Sequence, residues 1–356
     1  MAKPTNNVAA IENYAGTYSK ELIGRLLNGL DIAVDIFVMR NVKGPINLTK
    51  LTVTKGIRPI DTTIEEADDT GRVWSGRVID VKGGMKVISV VPEELRTTFM
   101  SEMLDPNAAV EPFGQWVWAE EFKTIADEIN SSVFYADYKA NAPAYDPLAV
   151  YTASLSFIKF EKNFYACIGT TTAGQSPTTH PAKWLKINDS AITTGLGTII
   201  NHEIASGDLV PIATNPFTNT NTVGELQKVW KGASKTFRKG KSIMRIAQDV
   251  MDNYLADYDT RFGKGNGIAD DTEDAPIVFL KGSGKRCRLQ ACSWMNDSQR
   301  VMLTIDKNLV MAIDQENALN SIGKLIPTLH GYKAVVKYLM GFQIQDLECL
   351  YVNDKI

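Results

Sequence analysis

Gln115-Trp-Val-Trp118-Ala-Glu-Glu-Phe122-Lys-Thr-Ile125-Ala126-Asp-Glu-Ile129-Asn-Ser-Ser-Val133-Phe134 is the stretch whose reading decides the fold. Phe122, Ile125, Ala126, Ile129 and Val133 stand at i, i+3, i+4, i+7 and i+11, the spacing of one helix face. Glu120, Lys123, Asp127, Glu128 and Asp137 keep the other side polar. Trp116 and Trp118 lead in, and Asn141 and Pro143 supply stop signals. The spacing predicts a helix over 115–140, and about 25 residues at 1.5 Å each make a rod of roughly 38 Å. A rod that long needs something long to lie against, although the segment by itself also fits the core helix of an ordinary domain.

Composition sets the outer limits. A chain of 356 residues has room for two or three domains, or for one domain with large excursions. At 44% hydrophobic and 22% charged it is globular in type. The net charge of −3 argues against a dedicated nucleic-acid binder and leaves room for a local basic patch. Cys167, Cys287, Cys292 and Cys349 form no CxxC pair and no zinc spacing with histidine, so they read as free thiols of a reducing compartment. Residues 1–15 hold no secretory apolar run, and no window of 18 apolar residues offers a membrane span. The expected setting is cytoplasm-like, with no membrane partner.

Upstream of the helix the chain has two unusual parts. Residues 1–18 are polar, with Pro4, Asn6, Asn7 and Gly16, and read as an extended arm. Asp31 to Arg40 fits helix or strand. Leu48, Leu51 and Val53 then begin a strand, and a polar passage from Arg58 to Arg72 follows, with Glu65, Glu66, Asp68 and Asp69. Alternation resumes at Val73, Ser75, Arg77, Ile79 and Val81, and Val87 to Val91 adds a β-branched run. This is a projecting hairpin whose tip cannot bury enough surface to offset its ordering entropy. Such an arm makes sense when a neighbouring subunit supplies the missing surface; a sheet edge with a long loop fits the same pattern.

Downstream, Tyr145 to Ile187 turns aromatic and Thr-rich, with Tyr151, Phe157, Phe160, Phe164, Tyr165 and Trp184 among Gly169, Gly174, Pro177 and Pro181. A β-module of about 40 residues has a marginal core by itself, so it reads as an insertion braced by its host. Helices are expected within 191–211 and 223–230, then a strand at 242–246. A further helix capped by Asp249 carries the stripe Val250, Tyr254, Leu255 and Tyr258. Residues 262–273 read as a glycine-rich acidic loop. The last third is β-rich, with strands at 277–280, 288–292, 300–305 and 309–313, and a closing pair, 332–340 and 342–352, around Gly341. Strands and helices mix without a βαβ rhythm, which makes the fold class α+β.

No catalytic constellation survives inspection. His180 and His330 sit in loop-type sequence, and His202-Glu203 lacks the second histidine of HExxH. Gly282-Ser283-Gly284-Lys285 resembles the end of a phosphate loop, but Phe279 stands where the first glycine belongs and Arg286 where Ser or Thr belongs, so it reads as a solvent-facing basic turn. The acids at 270–274 fail the EF-hand spacing. The chain is therefore read as a non-enzyme with no cofactor and no metal.

The order of parts carries more than any one part. An arm (1–43), a long hairpin (44–91), a region with the long helix (92–145), a central mixed region (191–326) and returning terminal strands (327–356) resemble the major capsid protein of tailed bacteriophages, the Hong Kong 97-type fold. That family's parts are an N-arm, an E-loop, a spine helix in a peripheral domain, and an axial domain. Two segments strengthen the likeness: Trp118 to Ile129 resembles a capsid spine helix, and Val336 to Val352 resembles the closing strands.

A second resemblance lies within 146–190. Tyr165-Ala-Cys-Ile-Gly-Thr170-Thr-Thr-Ala-Gly174-Gln-Ser-Pro177, followed by Trp184 and preceded by Tyr151, is similar to the small chitin-binding-type carbohydrate modules. Ala153 and Ser154 stand where those modules carry Gly-Asp, and Glu161-Lys162-Asn163 replaces their Gly-Lys turn. The departures leave a structural or decorative insert as open as a glycan-binding one.

The capsid resemblance implies self-assembly into hexamers and pentamers of an icosahedral shell around double-stranded DNA, held without sequence specificity. It implies a virion capsid built in the bacterial host cytoplasm. The stretch before the hairpin is too short for a built-in scaffolding domain, so a separate scaffolding protein is expected, together with a portal and decoration proteins. Glu65, Glu66, Arg72 and Arg77 are the expected intersubunit contacts of the hairpin, and Tyr151, Tyr165 and Trp184 the expected glycan contacts of the insert. The alternatives are a carbohydrate-binding surface protein using the 146–190 module and an encapsulin-type compartment shell.

Overall fold

The long helix forms, earlier and shorter than its pattern announces. The computed structural model describes residues 30–53, 72–90, 110–137, 142–152, 156–161, 163–187, 192–263, 269–270, 277–314, 326–327 and 332–356. The arm before residue 30, the hairpin tip with Glu65 and Glu66, and most of the 262–273 loop lie outside them.

The first described elements are α1 (Asp31–Asp35) and β1 (Phe37–Met39), so the ambiguous 31–40 stretch is half helix and half strand. β2 (Ile46–Val53) and β3 (Arg72–Ile79) form the expected hairpin stem, and β4 (Lys82–Val90) follows. The long helix is α2 (Val110–Ser132), 23 residues. Its expected face is buried: Phe122, Ile125, Ala126, Ile129 and Val133 are each 3% exposed or less. The helix stops at Ser132 and not at 140. Beyond it the chain has another use, because the Phe134 and Ala136 carbonyls accept from Gly197 N and Gly195 N, and Thr198 Oγ1 also donates to Ala136. Backbone spent on capping a neighbouring helix cannot continue its own.

That neighbour is α3 (Leu196–Ser206). Gly195 and Gly197 permit the approach, since a Cβ at either would press into the backbone of 133–134. Before it come the three short strands β5 (Phe157–Phe160), β6 (Asn163–Cys167) and β7 (Trp184–Ile187) of the insert. After it come α4 (Thr222–Gly232), β8 (Ser242–Ala247) and α5 (Gln248–Phe262). Asp249 lies inside the first turn of α5 and Ala247 holds the cap position without a side-chain bond. The strands β9 (Ala269–Asp270), β10 (Ile277–Phe279), β11 (Cys287–Cys292), β12 (Met302–Thr304), β13 (Leu309–Ile313), β14 (Ile326–Pro327), β15 (Tyr332–Ile344) and β16 (Leu350–Val352) complete the order.

Two sheets dominate. One runs β16-β12-β8-β11-β10-β9, with β8 and β11 parallel. The other runs β1-β13-β15-β14, with β4 also on β15. The expected closing pair around Gly341 is instead one 13-residue strand, β15. It pairs with β4 from Tyr332 to Met340 and with β13 from Met340 to Ile344. Gly341 marks no turn; it sits under the β3–β4 corner, where a Cβ would run into the Asp80 carbonyl. A glycine in a strand here reports close backbone approach.

One core joins α2, α3, α4, α5 and both sheets. Buried polar links stitch it. Asp35 at the end of α1 accepts from Trp294 Nε1 at 2.7 Å and Gln290 Nε2 at 2.5 Å, while Arg245 donates to the Asp35 carbonyl. Arg300 donates to Asn201 Oδ1 at 2.7 Å and to the Asn353 carbonyl. Burial lowers the pKa of both arginines. All four cysteines are free thiols. Burial pushes the Cys287 thiol up to about 12, which keeps it protonated and inert. Among the described residues no helix is long and apolar enough to cross a membrane.

Candidate assembly surface

The stem β2–β3 pairs antiparallel over eight residues, from Ile46↔Ile79 to Val53↔Arg72. At about 3.3 Å per residue it is a two-stranded ribbon roughly 26 Å long. Side chains directly opposite share a face, so the register sorts the ribbon into two sides.

One side is anchored. Leu48 and Ile79 are buried with Val42, Val81, Val310 and Ala312. Lys50 donates to Asp346 Oδ1 at 2.8 Å and reaches Glu348 Oε2 at 2.8 Å. Those carboxylates, Asp346 first, raise the Lys50 pKa above the ordinary lysine value. Arg77 pairs with Glu203 of α3 and donates to Gln343 Oε1 at 3.1 and 3.2 Å, while Gln343 Nε2 donates to the Val78 carbonyl at 2.8 Å. Arg77, expected at an intersubunit contact, is thus committed within its own chain.

The other side is bare. Leu51 faces Trp74 across the ribbon, flanked by Val53 and Val78, and Trp74 is 70% exposed. Arg72 stands at the open end of this face, opposite Val53, and is exposed. β4 repeats the arrangement: Lys86 reaches Glu121 and Glu128 of α2 at 3.4 and 3.6 Å and Ile88 is buried, while Met85 and Val87, on the alternate positions, are exposed. Burial, with Glu128 nearby, pushes the neighbouring Tyr338 hydroxyl to about 12. A two-stranded ribbon with a bare apolar face does not suit water, and contiguous exposed apolar surface marks a contact site. The charges of this hairpin stand out in the sequence, whereas Trp74 and Val78 join Leu51 and Val53 as one stripe only when the two strands are written in register.

The insert behaves differently. Its sheet runs β5-β6-β7. Tyr151 and Trp184 are 8% and 5% exposed, with ring centroids 5.3 Å apart, and Tyr145 stacks on Tyr151 at 5.7 Å. Trp184 Nε1 donates to the Gln175 carbonyl at 3.1 Å, and Tyr151 OH to the Asp146 carbonyl at 3.1 Å. Tyr151 and Trp184 therefore build the module's core and offer no open ring face. Tyr165 is half-buried, edge-on to Phe160 at 6.3 Å. The host braces the module through Ala136, which packs on Phe157 and Ala166. A cavity of about 370 Å³ lies in the seam, lined by Tyr135, Ile168, Leu185, Lys186, Met295 and Ser298 among others. Among the described residues no group of three or more His, Cys, Asp or Glu side chains could hold a metal.

No protein-family model matches the chain, and no curated protein matches its sequence. Solved structures do resemble it. A chain of the satellite phage P4 procapsid with its size determination (Sid) protein aligns at TM-score 0.52 and 8% identity, over 94% of this chain and 90% of that one. The capsid of an empty GTA particle aligns at 0.46 and 8% identity, over 92% and 90%. The holo-encapsulin complex of Synechococcus elongatus aligns at 0.45 and 10% identity, over 91% and 86%. The first likeness spans nearly the whole of both chains. The chain has the α+β Hong Kong 97-type capsid fold.

Proposed function

We propose that this chain is the major capsid protein of a tailed bacteriophage, a shell-building subunit that assembles with copies of itself into hexamers and pentamers around double-stranded DNA. The observation that carries the reading is the bare face of the β2–β3 ribbon: Leu51, Val53, Trp74 and Val78 lie uncovered on a ribbon whose other side is fixed to its own chain at Leu48, Lys50, Arg77 and Ile79. The occupant that suits this face is a second copy of the chain, since a repeated shell gives every ribbon the same neighbour. Weak contacts repeated over a closed shell add to a large total. A separate scaffolding protein, a portal and decoration proteins are the other partners this role calls for, and assembly belongs in the bacterial host cytoplasm. Arg72 at the bare end, with Glu65 and Glu66, extends the contact with charge. The 146–190 module, similar to chitin-binding modules in sequence, serves as a braced decoration, with Tyr165 as the one of its three aromatic candidates that keeps ring surface for a glycan.

The test is electron microscopy of the purified chain over a concentration and salt series, with and without scaffolding protein. Rings, sheets or closed shells that vanish in Trp74→Ser support the reading. A monomer under every condition would end it. Retention of the module's host chain on chitin, lost in Tyr165→Ala, checks the glycan role separately.

A further inference from the structure

The net charge of −3 conceals a strong local asymmetry. Residues 228–241 hold Lys228, Lys231, Lys235, Arg238, Lys239 and Lys241 without an acid, and 281–288 hold Lys281, Lys285, Arg286 and Arg288 without an acid. The fold brings these two segments to one end of the six-stranded sheet. β8 and β11 run parallel from Ser242↔Cys287, and Ser242 N donates to the Arg286 carbonyl at 2.9 Å, so Lys241 and Arg286 enter the sheet side by side. Gln227 Nε2 donates to the Lys281 carbonyl at 2.8 Å, which ties α4 to the 280–286 loop. Lys231, one turn beyond Gln227, lies on the same helix face.

The loop that carries three of the cations is held firmly. Gly282, Gly284 and Lys285 take left-handed φ of 87°, 63° and 59°. Ser283 is buried, with Oγ donating to the Leu280 carbonyl at 2.7 Å, and Tyr254 OH accepts from Lys281 N at 3.0 Å. Lys228 is paired with Glu225. Lys231, Lys235, Lys239, Lys241, Arg286 and Arg288 are exposed, and among the described residues none has an acidic partner. Asp270, the last residue of β9, pairs with Ile277 at the end of β10 away from this loop.

We infer that this basic face binds the phosphodiester backbone of double-stranded nucleic acid without reading its sequence. An acidic protein partner fits less well, because protein interfaces have an apolar centre and no large apolar side chain in either segment is exposed. A single strand fits less well too, because stacking needs free rings. Here Trp230 is buried and Phe237 is packed on Tyr351, with centroids 4.9 Å apart. What the face does offer is closely spaced charge on rigid backbone, which releases counterions from a phosphate array. The inference deepens the capsid reading and rests on it for its ligand, the enclosed double-stranded DNA, while its test uses the unassembled chain and so fails separately from the test of assembly.

The experiment measures fluorescence anisotropy of a short random-sequence DNA duplex titrated with the full chain, below any assembling concentration, across a salt series. Wild type should bind at low salt with affinity falling linearly in log salt. Lys239→Gln/Lys241→Gln/Arg286→Gln should lower the slope by about 3 and weaken binding at least about tenfold, since each phosphate contact contributes close to 1 to the slope. Arg286→Gln alone should give about a third of that slope change. Circular dichroism confirms the fold of each variant, and Lys333→Gln/Lys337→Gln, exposed on β15, should bind as wild type does. Absence of binding at low salt, an unchanged triple variant, or an equally damaging control pair would overturn the inference. Competition by polyglutamate as effective as by duplex would reassign the face to an acidic protein, and competition by inorganic phosphate at equal charge to a free anion.

Discussion

The ribbon and the insert are both small β-structures that stand on the same body, yet they treat their apolar residues in opposite ways. The insert turns Tyr145, Tyr151 and Trp184 against one another and satisfies the indole N–H with a carbonyl of its own. The ribbon leaves Trp74 70% exposed opposite Leu51. A three-stranded sheet with an aromatic cluster can close a core with modest bracing. Two strands have no inside, so one face must borrow its cover. The difference separates a part whose apolar residues are covered within the chain from a part that leaves an apolar face uncovered.

Mutations sharpen that contrast, and the largest effect belongs to the finished part. Trp184→Ala should cost ~3–5 kcal/mol of module stability, as for other buried aromatics. Hydrogen exchange should then speed up across 145–187 while α2 stays protected. Arg77→Ala should cost about 2 kcal/mol, because it leaves Glu203 half-buried without its cation; urea melts of the unassembled chain measure it. Trp74→Ser should raise the concentration at which assemblies appear by about tenfold, roughly 1.4 kcal/mol per contact, and should move the monomer's stability by under about 0.5 kcal/mol. Light scattering and urea melts together read both halves. If Trp74→Ser instead destabilises the monomer as Trp184→Ala does, the contrast fails.

The smallest effect concerns the ribbon root. Lys50→Met should cost about 0.5 kcal/mol, as a partly exposed ion pair does. Its pH dependence follows from the raised pKa: Asp346 and Glu348 favour the charged lysine in the folded chain. The stabilisation is therefore complete below the unfolded lysine value of about 10.4 and fades as pH rises through the higher folded value. Melting temperatures of wild type and Lys50→Met should differ by a constant amount at neutral pH and converge at strongly alkaline pH.

Periodicity made the main frame legible. The α2 stripe, the stem of the hairpin, and β13 at Leu309–Ile313 all lie where spacing put them, since burial on one face writes itself into sequence. Two errors came from longer-range causes. Helix α2 ends at Ser132 because the carbonyls beyond it serve α3, a demand made by Gly195, Gly197 and Thr198, far along the chain. Gly341 looked like a turn because a glycine needed for clearance and a glycine needed for reversal are the same letter. The candidate assembly face was half legible: charges on the hairpin stand out in the sequence, while the apolar stripe appears only after the strands are set in register. The insert's rings suggested sugar contact, and whether an aromatic ring lies in or out depends on packing that no local pattern states.

β15 has a mechanical consequence. It is one unbroken strand that carries β4 along nine residues and β13 along the last five, with Met340 shared between them. A pull on the ribbon along the strands enters through the β3–β4 corner and loads the β4–β15 ladder lengthwise. Its hydrogen bonds then resist in parallel and do not unzip singly. Because the same strand goes on to pair with β13, tension that reaches β4 is delivered to the body as shear.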